Sequence, residues 1–103
     1  GENSLSRYIE RQTELALEAY GYINELLEFS CAVEPQSNIL CFRVKGNDTL
    51  QLRLRDKLMA EGSFHISTTM FKGLRYLRLT IMNPDTTMDT IKKLVQRIRE
   101  LIS

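Results

Sequence analysis

The sequence predicts an α+β domain: a mainly antiparallel four-stranded sheet with three helices packed on one face, in the order α-β-β-α-β-β-α. Three observations carry this. Residues 5–28 and 88–102 repeat apolar side chains at spacings of three and four, the period of a helix with one buried stripe. Residues 39–44, 64–69 and 75–82 alternate in polarity, the period of a strand with one buried face. The "MFKG" stretch at 70–73 joins two of these strands with hairpin chemistry, which favours antiparallel pairing and helices on one side. With 103 residues, 43% of them hydrophobic, the chain is expected to form one domain around a modest core.

The elements follow in order. Leu5, Tyr8, Ile9, Leu15, Ala16, Tyr20, Ile23, Leu26 and Leu27 mark the first helical stripe. Phe29 to Val33 reads as a short strand, stopped by Glu34-Pro35 and "QSN". "ILCFRV" at 39–44 is a second strand, ended by "KGND". Asp48 reads as the N-cap of the next helix with Gln51 as its capping-box partner, Leu50, Leu54 and Leu58 as its buried stripe and Gly62 as its C-terminal glycine. "FHISTT" at 64–69 and the stretch 75–82 complete the sheet. Asn83-Pro84-Asp85 breaks the last strand, and Thr86 reads as the cap of the final helix with Asp89 at its third position. Met88, Ile91, Leu94, Val95, Ile98, Leu101 and Ile102 give the clearest stripe in the chain.

Alternation then sorts the strand residues. Leu40, Phe42, Val44, Phe64, Ile66, Leu77, Leu79 and Ile81 fall on the core face. Cys41, Arg43, His65, Ser67, Thr69, Tyr76, Arg78 and Thr80 fall on the other. That second face suits an interface, the wall of a polar cleft or an ordinary solvated surface. Arg78 stands at the centre of an otherwise apolar strand, "YLRLTIM". A guanidinium is always charged and costly to bury unpaired, so Arg78 either faces water or holds an anion.

Several function classes are excluded. The 14 basic residues are balanced by 13 acidic ones, for a net charge of +1, which gives no electrostatic case for nucleic acid or an anionic membrane. Among the outward strand residues Tyr76 is the sole aromatic, too little for an RNA-stacking platform. No apolar run reaches membrane-spanning length, and the polar N-terminal stretch has no secretory-signal character. Cys31 and Cys41 sit in separate apolar stretches and are expected as buried free thiols, which fits a cytoplasmic location. A single histidine, His65, scattered glycines and no C-x-x-C or H-E-x-x-H spacing leave no metal site, phosphate loop or nucleophile set. No complete catalytic site is expected in these residues.

Three segments carry a resemblance: "EPQSNILCFR" (34–43), "LRDKLMAEGSFHISTT" (54–69) and "LRLTIMNPDTT" (77–87). In this order and spacing the chain, from about residue 8 to its end, resembles the C-terminal small domain of the group II pyridoxal-phosphate-dependent amino-acid decarboxylases. The style of "ISTT", "LR" and "NP.TT" is most similar to the bacterial L-2,4-diaminobutyrate decarboxylases. The resemblance implies a mainly antiparallel sheet with helices on its outer face and the other face turned toward a large cofactor domain. It implies a homodimeric parent enzyme that removes an α-carboxylate as carbon dioxide, and an active-site cleft closed on one side by this domain. By motif it places Arg78 on the substrate carboxylate, with Tyr76 and Arg43 as weaker contacts to substrate or large domain, and Ser67 and Thr69 weaker still. The family's cofactor lysine lies in a His-Lys pair; here His65 is followed by Ile66. No cofactor-binding or Schiff-base residue is therefore expected in this piece, and the chain alone is expected to be inactive. Two other readings of the residues remain: a freestanding α+β binding module using its open sheet face, and the small domain of a pyridoxal-dependent aminotransferase.

Overall fold

The computed structural model describes residues 3–103, with side chains from Arg7 onward. Its elements are α1 (Asn3–Asn24), β1 (Phe29–Cys31), β2 (Ile39–Val44), α2 (Asp48–Glu61), β3 (Ile66–Phe71), β4 (Leu74–Thr80) and α3 (Met88–Ile102). The expected α-β-β-α-β-β-α order holds. The four strands form one antiparallel sheet in the order β1-β2-β4-β3. β2 and β4 are therefore its centre, and β4 is paired on both sides.

All three helices contribute to one core. Ala16, Ala19 and Ile23 of α1, Leu54 and Leu58 of α2, and Ile91, Leu94, Val95 and Ile98 of α3 are buried with Leu40, Phe42, Val44, Ile66, Leu77, Leu79 and Ile81 of the sheet side. Phe64 packs at the edge of this cluster rather than inside it. Each fully buried Leu, Ile or Phe contributes about 1.5–3 kcal/mol of transfer free energy. The α1 stripe is shifted from the sequence pattern. Gln12 and Ala19 are buried, whereas Ile9 and Leu27 are exposed. Leu26 and Leu27 lie beyond the helix end, and Leu5 falls outside the residues with described side chains. Gln12 is buried because its amide donates to the Asn83 carbonyl at 2.9 Å, tying α1 to the β4–α3 connection. Tyr8 hydroxyl makes a parallel link to the Met82 carbonyl.

Both helix caps move by one residue. Asn47, not Asp48, caps α2, its side chain accepting the Leu50 N–H at 2.9 Å. Asp48 is drawn into tertiary bonds instead, and so is Gln51. The Gln51 side chain is fully buried; it accepts the Val44 N–H at 3.0 Å and donates to the Val44 carbonyl at 2.7 Å. It thus finishes the end of β2 as a fifth strand would. At α3 the cap is Thr87, not Thr86, because Thr90 accepts the Thr87 N–H at 3.1 Å. Gly62 closes α2 in the left-handed region, as its position predicts. The β3–β4 turn is two residues, Lys72 and Gly73, both at positive φ, so Met70 and Phe71 belong to the strand.

Gln51→Ala removes the side-chain partner of both the Val44 N–H and the Val44 carbonyl. The expected loss is about 2–4 kcal/mol of unfolding free energy. Urea denaturation of the variant against Gln51→Glu and wild type measures it, and an unchanged midpoint would show that the β2 end is satisfied by other means.

Candidate functional site

The site is built on the sheet face that no helix covers. β4 runs through its middle. The register places Arg78 opposite Cys41 of β2 on one side and Ser67 of β3 on the other. Thr80 pairs with Ile39, and Tyr76 pairs with Thr69, so these belong to the neighbouring rows. Cys41, Ser67, Thr69, Arg78 and Thr80 are all half-buried. Alternation forces this arrangement: Leu77 and Leu79 take the core, so Arg78 must point away from it.

Arg78 differs from the chain's other strand arginines. Among the described residues no side chain or carbonyl bonds its guanidinium, and its neighbours across the sheet, a thiol and a hydroxyl, carry no charge to neutralise it. Arg75 is tied to the Thr68 hydroxyl at 2.8 Å. Arg43 is tied more fully. Its guanidinium donates to the Gly46 carbonyl at 2.6 Å, the Arg75 carbonyl at 3.0 Å and the Asp48 carboxylate at 3.2 Å. It also lies 5.8 Å from the centroid of the Tyr76 ring, a cation–π distance, and Tyr76 meets Phe71 edge-on at 6.1 Å. Arg43 and Tyr76 are both buried at this end of the face. They form a packed corner beside Arg78, with their polar atoms committed within the domain in the case of Arg43.

The corner explains Asp48. The Arg75 backbone N–H, first, and the Arg43 guanidinium hold its carboxylate below the usual range. Gly46 turns the chain there at φ 138°, and a Cβ would meet Leu50 Cδ2 at 2.7 Å, so the turn depends on glycine. Sequence reasoning missed this role because Asp48 is also a good N-cap; only the proximity of β4 reveals the competing partner.

The cysteines are free and lie on opposite faces, Cys31 paired with Phe42 and Cys41 with Arg78. Burial pushes the Cys31 thiol up to about 12. Burial also raises Cys41, against the opposing pull of the Arg78 charge. Both are thiols, not thiolates, at neutral pH. His65 is exposed and borders a cleft of about 310 Å3 of mixed lining, with Thr80, Asn83 and Asp85 beside Phe64, Leu79 and Ile81. Among the described residues no group of His, Cys, Asp and Glu could hold a metal, and no helix is long and apolar enough to cross a membrane. All five lysines are exposed, on loops, the hairpin turn or helix exteriors. None stands beside Arg78, so these residues do not fit covalent attachment of an aldehyde cofactor.

No family model matches the chain. Its curated relatives are group II pyridoxal-phosphate-dependent amino-acid decarboxylases. It is 28% identical over 95% of its length to the L-2,4-diaminobutyrate decarboxylase of Acinetobacter baumannii, and 26% identical over 100% of its length to the histidine decarboxylase of Drosophila melanogaster. The chain spans 21% and 12% of those two proteins. Among solved structures, the glutamate decarboxylase domain of a diaminobutyrate-pyruvate transaminase and L-2,4-diaminobutyrate decarboxylase from Vibrio parahaemolyticus superposes with a TM-score of 0.85 at 24% identity, over 95% of this chain and 22% of that one. This likeness establishes a shared fold.

Carboxylates paired with arginine or a backbone N–H make stability fall with acid. Asp48, Glu28 and Glu61 are held below their ordinary values, Glu28 by Arg99 and Glu61 by Arg97. The unfolded chain therefore binds protons more readily, and the stabilisation present above the unfolded carboxylate range, about 4, is lost as pH falls through the lower folded values. The denaturant midpoint is expected to drop between pH 5 and pH 3, and less steeply in Asp48→Asn; parallel pH profiles for variant and wild type would remove Asp48 from this account.

Proposed function

We propose that the chain is the C-terminal small domain of a pyridoxal-phosphate-dependent amino-acid decarboxylase, and that Arg78 holds the substrate carboxylate. The observation that carries this is the placement of Arg78. It sits centrally on the helix-free sheet face, half-buried, flanked by neutral Cys41 and Ser67, with no partner among the described residues. The decarboxylase relatives, each several times longer than this chain, support a parent with a separate cofactor domain.

The physics suits the task. A guanidinium offers a planar fork of donors that matches a carboxylate at two points. A strand paired on both sides fixes its direction better than a loop would. Closure by the large domain would exclude water and strengthen the charge pair. The cofactor supplies the sink for the electrons left when carbon dioxide departs, and the missing part of the parent must hold it. This chain's residues bind, orient and shield. Arg43 and Tyr76 stand as the supporting corner, reaching the substrate or large domain only at its edge; Ser67 is the nearer hydroxyl and Thr69 the farther. The parent is proposed to be a cytoplasmic homodimer, its large domain and amino-acid substrate both meeting the open face. The exposed lysines leave this piece inactive alone.

Arg78→Met in the full-length parent is expected to lower kcat/KM for carbon dioxide release by 100-fold or more, about 3 kcal/mol of lost transition-state stabilisation. The visible absorption of the bound cofactor and the thermal midpoint should be unchanged. Equal turnover at matched stability would remove Arg78 from the site.

A further inference from the structure

The uncovered face is not uniform around Arg78. On the β3 side its neighbours are the hydroxyls of Ser67 and, one row on, Thr69. On the Cys41 side lies a hollow of about 460 Å3. The β1–β2 connection curls over the start of β2 to make it. Its walls include Val33, Pro35, Ile39 and Cys41, with Glu34 among the polar residues that complete the lining. Val33 is 55% exposed, a β-branched apolar side chain held in solvent on a loop. Pro35 by contrast is buried and fixes the loop's path.

Cys41 belongs to both features. It lines the hollow and is the direct cross-strand neighbour of Arg78. Adjacent strands lie about 4.8 Å apart, so the guanidinium stands within one side chain's reach of the hollow. The shared wall is uncharged, because burial keeps the Cys41 sulfur protonated. A charged group at one end of a largely apolar depression is complementary to a ligand with the opposite charge at one end and an apolar body. The volume falls in the range of small-ligand sites.

We infer that Arg78 and the hollow formed by Val33, Pro35, Ile39 and Cys41 are one amphiphilic site, taking a carboxylate whose side chain is aliphatic or aromatic. This rests on the carboxylate role of Arg78 and adds to it the side-chain class. Arg78 fixes the carboxylate, and the hollow takes the side chain out of water. A basic side chain would gain little from these walls, except at Glu34.

Inhibition of the full-length parent by propanoate, 3-phenylpropanoate and 3-aminopropanoate tests the assignment. The phenyl compound is expected to inhibit at least about tenfold more tightly than propanoate, the ratio a modest apolar contact supplies. Val33→Ser, at an exposed position, should bring that ratio to near one without adding a charge to the site; Ile39→Ser should lower it similarly. A ratio near one in wild type, or one that survives both variants, overturns the inference. So does a preference for 3-aminopropanoate that Glu34→Gln abolishes, since the hollow would then recognise a cation. Arg78→Met should weaken all three. If it leaves them unchanged, the carboxylate reading itself fails, whatever Val33 does.

Discussion

A strand has two faces, and in this protein one of them takes all three helices. That constraint organises everything else. β2 and β4, the central pair, send Leu40, Phe42, Val44, Leu77 and Leu79 into a single core against α1, α2 and α3. The residues between them must then point the other way, onto a face where Arg43 and Tyr76 are buried at one end and Cys41, Ser67 and Arg78 stay half-buried. The open face is thus a consequence of burial on the opposite side, and a charged residue can stand at its centre because no helix desolvates it.

The polar groups that are buried serve to keep this geometry fixed. Gln51 completes the end of β2, and Gln12 anchors α1 to the turn that follows β4. Arg43, Asp48 and the Arg75 backbone lock the β2–α2 turn to β4. Among the described residues no buried side-chain nitrogen or oxygen lacks a partner. A buried unsatisfied group costs more than a made bond returns, so these contacts are strict about register. A slip of one residue would send Arg78 into the core. On the helical side, Arg97–Glu61 joins α3 to α2 and Arg99–Glu28 joins α3 to the residue before β1; these pairs are partly exposed and screened by salt, and matter more for alignment than for stability.

Arg43 and Arg78 lie on the open face and Arg75 on the helix-covered one, and among the described residues Arg78 is the strand arginine whose guanidinium has no bonding partner. The difference lies in position along the sheet rather than in chemistry. Arg43 and Arg75 lie near the ends of their strands, where turn carbonyls, Asp48 and Thr68 are within reach. Arg78 lies mid-strand, where pleated neighbours offer only a thiol and a hydroxyl.

The sequence by itself determined the element order, the core face and the outward direction of Arg78, because helical and strand periodicities are local and survive whatever the chain packs against. It also marked the cysteines as unpaired, though both are half-buried rather than buried, and the resemblance to decarboxylases, which the relatives bear out at the level of homology. It misjudged both helix caps, the end of α1 and the extent of the β3–β4 turn. At both caps two nearby residues had similar local chemistry. Asn47 and Asp48 can both cap a helix, and Thr86 and Thr87 differ by one step. At α2 only the tertiary structure decided between them, because Asp48 and Gln51 are claimed by backbone groups of β4 and β2, whereas at α3 the choice of Thr87 rests on its local bond with Thr90. The commitment of Arg43 and the hollow beside Cys41 were likewise settled in three dimensions: each depends on which strand lies next to β2, and strand order is a property of the packed sheet.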